Sequence, residues 1–468
     1  MKITWAERPF PAAPVDTAAA RRVVRLTRVE AIPFALMNGL TDPFMIPYAL
    51  ALGAGAFEAG LLSSVRNLIL SLAQLGTVRL IHWFRSRRRM FLWAVGIQAI
   101  LWVPLALVDP LFGGWAVAAL IVLYTIGSTS AALGGPVWGS LVSEQLPQAR
   151  RAEFSGHREM LVGLGTATAG VLGGGVLQLF AARPLLGFAL LCGTAALCRS
   201  WSWLALTRLV DRPWREPVRT RISFPAFLRR FRHDHFVRFA LCFAAFNLSV
   251  HLVVPYLTIY MLTELHYGYL TYSIVVLSGP MVGNLLLPRW GRIGDRRGNR
   301  VVLRWTMVGA SVLPFLWPLH PHPSWLLVMH LIGGSLWGGI NLAAVNFVYD
   351  ATTRTNRARY LAYFNVLNGS AIGLGAIAGG ILLKVLPPLH GSVFVSLFMI
   401  SAAGRCLMTA MFERVVPEVR PIHQVGLREV VLDLVGMRLI HVLGFFSVRP
   451  KRERRAARER QSTPPRGE

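Results

Sequence analysis

Hydrophobic positions along the chain gather into twelve long apolar runs, near residues 30–53, 58–79, 90–108, 115–142, 159–180, 185–207, 236–262, 269–288, 301–318, 325–349, 360–383 and 392–412. A helix needs roughly 20 consecutive apolar residues to cross a bilayer core. The pattern therefore predicts twelve transmembrane helices, numbered 1 to 12. The polar residues between them are unevenly dealt. The odd-numbered connections (54–57, 109–114, 181–184, 263–268, 319–324, 384–391) hold Arg183 and Lys384 as their only Lys or Arg residues. The even-numbered ones carry Arg85, Arg87, Arg88 and Arg89; Arg150, Arg151 and Arg158; the stretch from Arg208 to Arg232; Arg289, Arg292, Arg296, Arg297 and Arg300; and Arg354, Arg357 and Arg359. Lys and Arg accumulate on the cytoplasmic side of membrane proteins. Both termini and all even connections are thus expected in the cytoplasm.

Composition agrees and removes an alternative. The 468 residues are 54% hydrophobic and 15% charged, against roughly 25% charged in soluble domains. The formal net charge of +27 would suit nucleic acid, but its confinement to alternate connections makes it a topology signal, so no nucleic-acid partner is expected. Cys192, Cys198, Cys242 and Cys406 each fall inside an apolar run and read as packing residues, not an extracellular disulfide framework. Residues 1–28 are polar and basic, and the run that follows is too long for a signal-peptide core. An uncleaved first helix in a bacterial inner (plasma) membrane is the expected arrangement.

The longest break, 208–235, is rich in Arg and Pro and divides six runs from six. The halves also match in sequence at an offset of 206: Glu144/Asp350, Arg151/Arg357, Ala152/Ala358, Phe154/Tyr360, Leu161/Leu367, Gly163/Gly369, Gly173/Gly379, Arg199/Arg405 and Arg208/Arg414. A register held without a gap from helix 4 to helix 6 reads as duplication of a six-helix unit. Such parallel repeats place a substrate site at their interface near the membrane midplane. The expected organisation is a tail over 1–28, one bundle over 29–207, a linker over 208–235, a second bundle over 236–413, and a tail over 414–468. Within that last tail, 427–446 is apolar but interrupted by Arg428, Glu429, Asp433 and Arg438. Burying those charges in a thirteenth span costs several kcal/mol each, about 2.5–3.5 on insertion scales, so an interfacial helix is expected.

The connection between helices 8 and 9 reads Gly291-Arg292-Ile293-Gly294-Asp295-Arg296-Arg297-Gly298-Asn299-Arg300. Its glycines permit a tight turn, and an acid among arginines can accept charge-assisted hydrogen bonds. This stretch resembles the loop signature of the major facilitator superfamily. The resemblance implies an all-α fold of two pseudo-symmetric six-helix bundles, and a latch formed by Gly291, Asp295, Arg296, Gly298 and Arg300 that closes the cytoplasmic side and breaks when the bundles rock. The matching loop of the first half, Leu80 to Arg89, keeps the basic cluster without an acid. In both halves an acid ends a helix and an Arg seven residues on opens the next; Glu144 with Arg151, and Asp350 with Arg357, are candidate pairs across the short loop or with the opposite latch, or else solvated surface pairs. The Gly-rich helix 5 (Gly163, Gly165, Gly170, Gly173, Gly174, Gly175) resembles the family's antiporter motif but lacks its Pro, and close helix packing accounts for these glycines equally well.

Charged groups inside spans mark functional sites by default. Asp42 lies mid-run in helix 1, before Pro43, and Arg66 lies in helix 2. Counted from the turn near residue 55 at roughly 1.5 Å per residue, both reach similar depth. They are expected to pair near the central cavity, as a titrating couple or as a permanent bridge. Arg199 and Arg405, at matching positions in helices 6 and 12, are expected to snorkel or pair. In helix 7, Asn247 and His251, then Tyr256 and Tyr260, are spaced i, i+4 and share faces. The resemblance makes helix 7 cavity-lining. Asn38, Trp138, Asn341, Asn346, Asn365 and Asn368 complete the polar and aromatic candidates.

Lys2, Lys384 and Lys451 are the only lysines, and none follows a Gly, so a phosphate loop is absent. No nucleophile elbow, paired carboxylates or Cys/His metal spacing appears. The chain is expected to be no enzyme and to need no cofactor or metal. The reading is a monomeric secondary transporter of a small, neutral or weakly charged organic solute, working by alternating access with proton coupling open. A receptor or assembly protein that kept the fold is the first rival; a lipid-modifying membrane enzyme is the second.

Overall fold

In hydrocarbon no water is available to backbone N–H and C=O groups, so apolar runs must satisfy them internally as helices. The computed structural model describes residues 17–74, 76–143, 151–209, 224–232, 234–352 and 357–416. Its long helices are α1 (Thr17–Thr41), α2 (Ala56–Gln74), α3 (Arg87–Ala106), α4 (Ala116–Ser143), α5 (Arg151–Leu179), α6 (Pro184–Leu206), α7 (His235–His251), α8 (Tyr269–Arg297), α9 (Asn299–Leu316), α10 (Pro323–Ala351), α11 (Arg357–Val385) and α12 (Val393–Val415). Among the described residues the one β-type contact is an isolated bridge, Leu389 to Ser392. Several starts are fixed by caps. Ser86 Oγ accepts from the Arg89 N–H at 3.1 Å, Asp234 Oδ1 from the Phe236 N–H at 2.8 Å, and Ser392 Oγ from the Phe394 N–H at 3.1 Å, each satisfying a donor the helix leaves orphaned.

Among the described residues eleven helices are long and apolar enough to cross a membrane, against the twelve expected. The exception is the first. Helix α1 begins at Thr17, inside the segment expected as a tail, and carries Arg21, Arg22, Arg25 and Arg28 in its opening turns. It then stops at Thr41, where a 3-10 turn over Asp42–Phe44 leads into a short helix, Met45–Ala51. Proline explains the interruption. Pro43 cannot donate to the Gly39 carbonyl, nor Pro47 to the Pro43 carbonyl, in a continuous helix. Part of the expected linker is also structured: Phe224–Arg229 is helical, and Phe227 packs against Phe236, Tyr360 and Tyr363 of the second half. The segment 427–446 lies outside the described residues.

Helix neighbours repeat across the chain. In the first half α1 packs on α5 and α6, α3 on α4 and α6, and α2 on α4; in the second α7 packs on α11 and α12, α9 on α10 and α12, and α8 on α10. Each pairing recurs six helices later. The halves meet along two reciprocal seams, α2 on α11 and α5 on α8. The tightest approach lies within the second half, where α8 and α10 cross at Gly279 and Gly283 against Gly334 and Gly338. A Cβ added to Gly334 would sit 1.9 Å from the Gly279 carbonyl oxygen, the close backbone contact that small residues at i, i+4 allow between membrane helices.

The apolar core is unequal from end to end. At the Arg-poor ends one buried cluster unites both halves, including Met37, Phe44, Leu62 and Leu177 with Tyr256, Tyr272, Leu313 and Phe398. At the Arg-rich ends the clusters are separate. One holds only second-half residues such as Phe236, Phe347 and Phe412, and three smaller ones hold only first-half residues.

Candidate functional site

The break in α1 organises the intramembrane polar groups. Asp42 is exposed, and its Oδ1 accepts a hydrogen bond from the Tyr124 hydroxyl of α4 at 3.0 Å. The Arg66 guanidinium of α2 lies over the same tyrosine ring, 5.2 Å from its centroid. Asp42 and Arg66 thus both contact Tyr124, and no ion pair within 4.0 Å joins them. The ring's negative face holds the cation while its hydroxyl holds the anion. Arg66 Nε is buried without an acceptor. Asn38, half-buried, lies one turn before Asp42.

The next residue faces the other half. The Pro43 carbonyl, left without a donor by Pro47, accepts from the Tyr272 hydroxyl of α8 at 2.8 Å. Tyr272 is buried and its hydroxyl also lies 3.4 Å from Thr258 Oγ1. Consecutive residues of one turn therefore carry a carboxylate directed at first-half groups and a carbonyl bound by the second half.

The remaining candidates divide. Asn247 donates through Nδ2 to Asn368 Oδ1 at 3.0 Å, linking α7 to α11, and His251 Nδ1 lies 2.9 Å from the Asn247 carbonyl oxygen. These two stabilise the second half's interior. Tyr256 is 0% exposed; its hydroxyl donates to the Ala376 carbonyl at 2.5 Å and it packs near Gly60 and Gly380. It is a packing residue at the seam, not an open cavity wall. Asn341 and Asn365 are exposed. Asn365 sits one turn before Gly369, which lies close to Ser71 of α2.

In the loop signature, Gly298 ends α8 with φ 89°, a conformation that favours glycine. Asn299 donates to Asp350 Oδ2 at 2.7 Å, and Arg300 donates to the Val416 and Glu413 carbonyls at 2.7 and 3.0 Å. Asp295 and Arg296 are exposed, with no polar partner among the described residues. Glu144 lies outside the described residues, and Arg151 and Arg357 are placed only as the first residues of α5 and α11.

Sequence reasoning missed a buried charge cluster. Glu30 of α1 pairs with Arg158 of α5 at 3.0 Å, and both are buried. Trp138 belongs here: the Arg158 guanidinium stacks 4.0 Å from its ring centroid. Arg199 does not snorkel outward. It is buried, donating to Ser202 Oγ at 3.3 Å. Arg405 is buried too, and donates to Ser401 Oγ, the Ala310 carbonyl and the Val250 carbonyl at 3.1, 3.0 and 3.4 Å. Val250 lies at the end of α7, whose last carbonyls and dipole favour a cation.

Comparison with known proteins agrees with this architecture. The tetracycline resistance protein, class B, of Escherichia coli is 29% identical over 98 residues, 21% of this chain and 23% of that protein. The class H protein of Pasteurella multocida is 23% identical over 111 residues, 24% of this chain and 28% of that protein. The matched stretch spans about a quarter of the length of these relatives. The fold is similar to that of the nucleoside transporter NupG (TM-score 0.66, 14% identity, covering 85% of this chain and 98% of that one) and of a D-xylose-proton symporter (TM-score 0.64, 12% identity, 86% and 98%). The Major Facilitator Superfamily model matches residues 31–376 and 239–450. This integral membrane protein belongs to the Major Facilitator Superfamily.

Proposed function

We propose that the protein is a secondary transporter that moves a small organic solute by alternating access. The observation carrying this reading is the unequal core: one apolar cluster joins the halves at the Arg-poor ends, while at the Arg-rich ends each half keeps its own. With Arg-rich ends in the cytosol, this is an inward-open state, closed outside. Rocking about the two seams would reverse it, engaging the exposed Asp295 and opening the contact of Tyr272 with Pro43. The solute site is the region around Asn38, Asp42, Tyr124 and Arg66, at the depth where parallel repeats bind their substrates. Asp42 carries the coupling proton, and Arg66 Nε is a donor still free for the solute. So few charges suit a neutral or weakly charged solute.

The test begins with thermal unfolding of purified protein against tetracyclines, nucleosides, pentoses and related metabolites. A bound solute raises stability by mass action, about 2.7 kcal/mol at a hundredfold excess over Kd. Flux of each stabilising compound is then measured in proteoliposomes with and without a pH gradient. Saturable flux is expected. Binding without flux would overturn the transport reading in favour of a receptor, and chemical conversion without vectorial movement would favour an enzyme.

A further inference from the structure

The first half holds a charge cluster that the transport reading does not use. Glu30 receives Arg158 Nη2 at 3.0 Å on one oxygen and the Ser202 hydroxyl at 3.2 Å on the other. The guanidiniums of Arg158 and Arg199 lie 5.8 and 5.2 Å from the centroid of Phe34, bringing both to one aromatic ring. Glu30, Arg158 and Arg199 are 3%, 8% and 4% exposed. Two buried cations thus face one buried carboxylate. Glu159 is 3.1 Å from Arg158 Nη1, but it is 68% exposed and screened by solvent. Arginine does not shed its proton in proteins, so titration cannot relieve the surplus, and an uncompensated buried charge is costly. Three N–H donors in this cluster are buried without an acceptor: Arg158 Nε, Arg199 Nε and Trp138 Nε1.

The duplicated half supplies a contrast. Arg405, the counterpart of Arg199, has an acceptor for Nε, Nη1 and Nη2 alike. At the same offset of 206, Arg158 becomes Phe364 and Trp138 becomes Ala344. There the second half places stacked aromatics, Phe364 lying 5.7 Å from Phe239 and 5.5 Å from Phe243. Each half therefore buries a guanidinium without a carboxylate of its own, but Arg405 has its N–H groups met by neutral acceptors, whereas the first-half cluster leaves Arg158 Nε, Arg199 Nε and Trp138 Nε1 unmet.

We propose that Arg158, Arg199 and Trp138 form a binding site for a small monovalent anion of the chloride class, enclosed between α1, α4, α5 and α6. The anion balances the second guanidinium and accepts from the free N–H groups. The low exposure of both arginines favours an inorganic ion over the carboxylate of an organic acid.

The experiment is thermal unfolding of the purified full chain in detergent, titrated with sodium chloride against sodium gluconate at constant ionic strength, with sodium acetate as a third arm. A saturable rise in midpoint with chloride alone is expected. Trp138→Phe keeps an aromatic face for Arg158 but removes the indole N–H, and should raise the half-saturating chloride concentration by about tenfold, the loss of one hydrogen bond to a charged partner. Arg199→Gln should abolish the chloride dependence. Glu30→Gln removes the competing negative charge and should lower the half-saturating concentration. Equal midpoints in chloride and gluconate overturn the proposal. A rise with acetate equal to that with chloride overturns the chloride assignment in favour of carboxylates. If Arg199→Gln does not fold, the opposite shifts of Trp138→Phe and Glu30→Gln decide; no shift in either refutes the site.

Discussion

On the proposed transport reading, replacing Tyr272 by Phe tests how the Arg-poor side, taken as the outer one, is held shut. The substitution deletes one hydroxyl and leaves the buried ring in place. In this state the hydroxyl donates to the Pro43 carbonyl at 2.8 Å, across the seam between halves. Pro47 has no N–H to offer that carbonyl, so the regular i+4 helical bond cannot take the hydroxyl's place. A typical hydrogen bond contributes about 0.5–1.5 kcal/mol net, and a buried acceptor left unsatisfied costs about 1–3 kcal/mol. Pro43 is half-buried, which puts the loss near the lower end, about 1.4 kcal/mol, or tenfold in the ratio of outward-open to outward-closed molecules.

Paired spin labels at Gly114→Cys and His320→Cys, both exposed at the Arg-poor ends of opposite halves, would report the opening in a background lacking Cys192, Cys198, Cys242 and Cys406. Tyr272→Phe should enlarge the long-distance population about tenfold relative to the short one, as that free energy requires. Tyr48→Phe is the control. Its hydroxyl bonds the Leu105 carbonyl at 3.1 Å, within the first half, so its loss should leave the distance distribution alone. An unchanged distribution in Tyr272→Phe, or an equal change in both variants, would refute the assignment of Tyr272 as an outer tie.

Four further outcomes follow from the geometry. Asp42→Asn should abolish proton-coupled solute uptake in vesicles while the protein still inserts, and unchanged coupling would remove Asp42 from that role. Gly334→Ala drives a methyl group to 1.9 Å from the Gly279 carbonyl oxygen and should destabilise by about 3 kcal/mol, the upper end for overpacking, read as a lower unfolding midpoint in detergent. Arg405→Leu strips donors from the Ser401 hydroxyl, Ala310 carbonyl and Val250 carbonyl and should cost about 2–4 kcal/mol by the same measurement; a midpoint equal to wild type would contradict its capping of α7. Asp295→Asn should leave the unfolding midpoint unchanged, because the carboxylate is exposed and unpartnered here, yet slow solute flux, because the opposite state needs it. Unaltered flux would remove Asp295 from gating.

The succession of long apolar helices and the repeat in their packing were readable from the sequence because both are carried by long, redundant signals. Hydropathy marks a span over some 20 residues, and the 206-residue offset links many positions that the helix pairings then repeat. Individual contacts rest on single side chains and were harder to foresee. The pairing of Asp42 with Arg66 was reasonable from depth, but depth does not reveal that Tyr124 of α4 stands between them. Glu30 and Arg158 were missed for a related reason. Both lie at the edges of their apolar runs, beside Arg28 and Arg151, and so read as part of the basic connections. The extension of α1 to Thr17 places Glu30 mid-helix, where it meets Arg158. A usable signal did exist, in the places where the repeat fails. Duplicated packing positions tend to keep the chemistry that both halves need, as Arg199 and Arg405 or Gly163 and Gly369 do. Arg158 against Phe364 and Trp138 against Ala344 break that rule. A cation facing lipid gains nothing from asymmetry, whereas a buried cation opposite an aromatic counterpart must find its own compensating charge. Departures from internal symmetry at otherwise apolar depth are therefore where the specific chemistry of a duplicated transporter is to be sought.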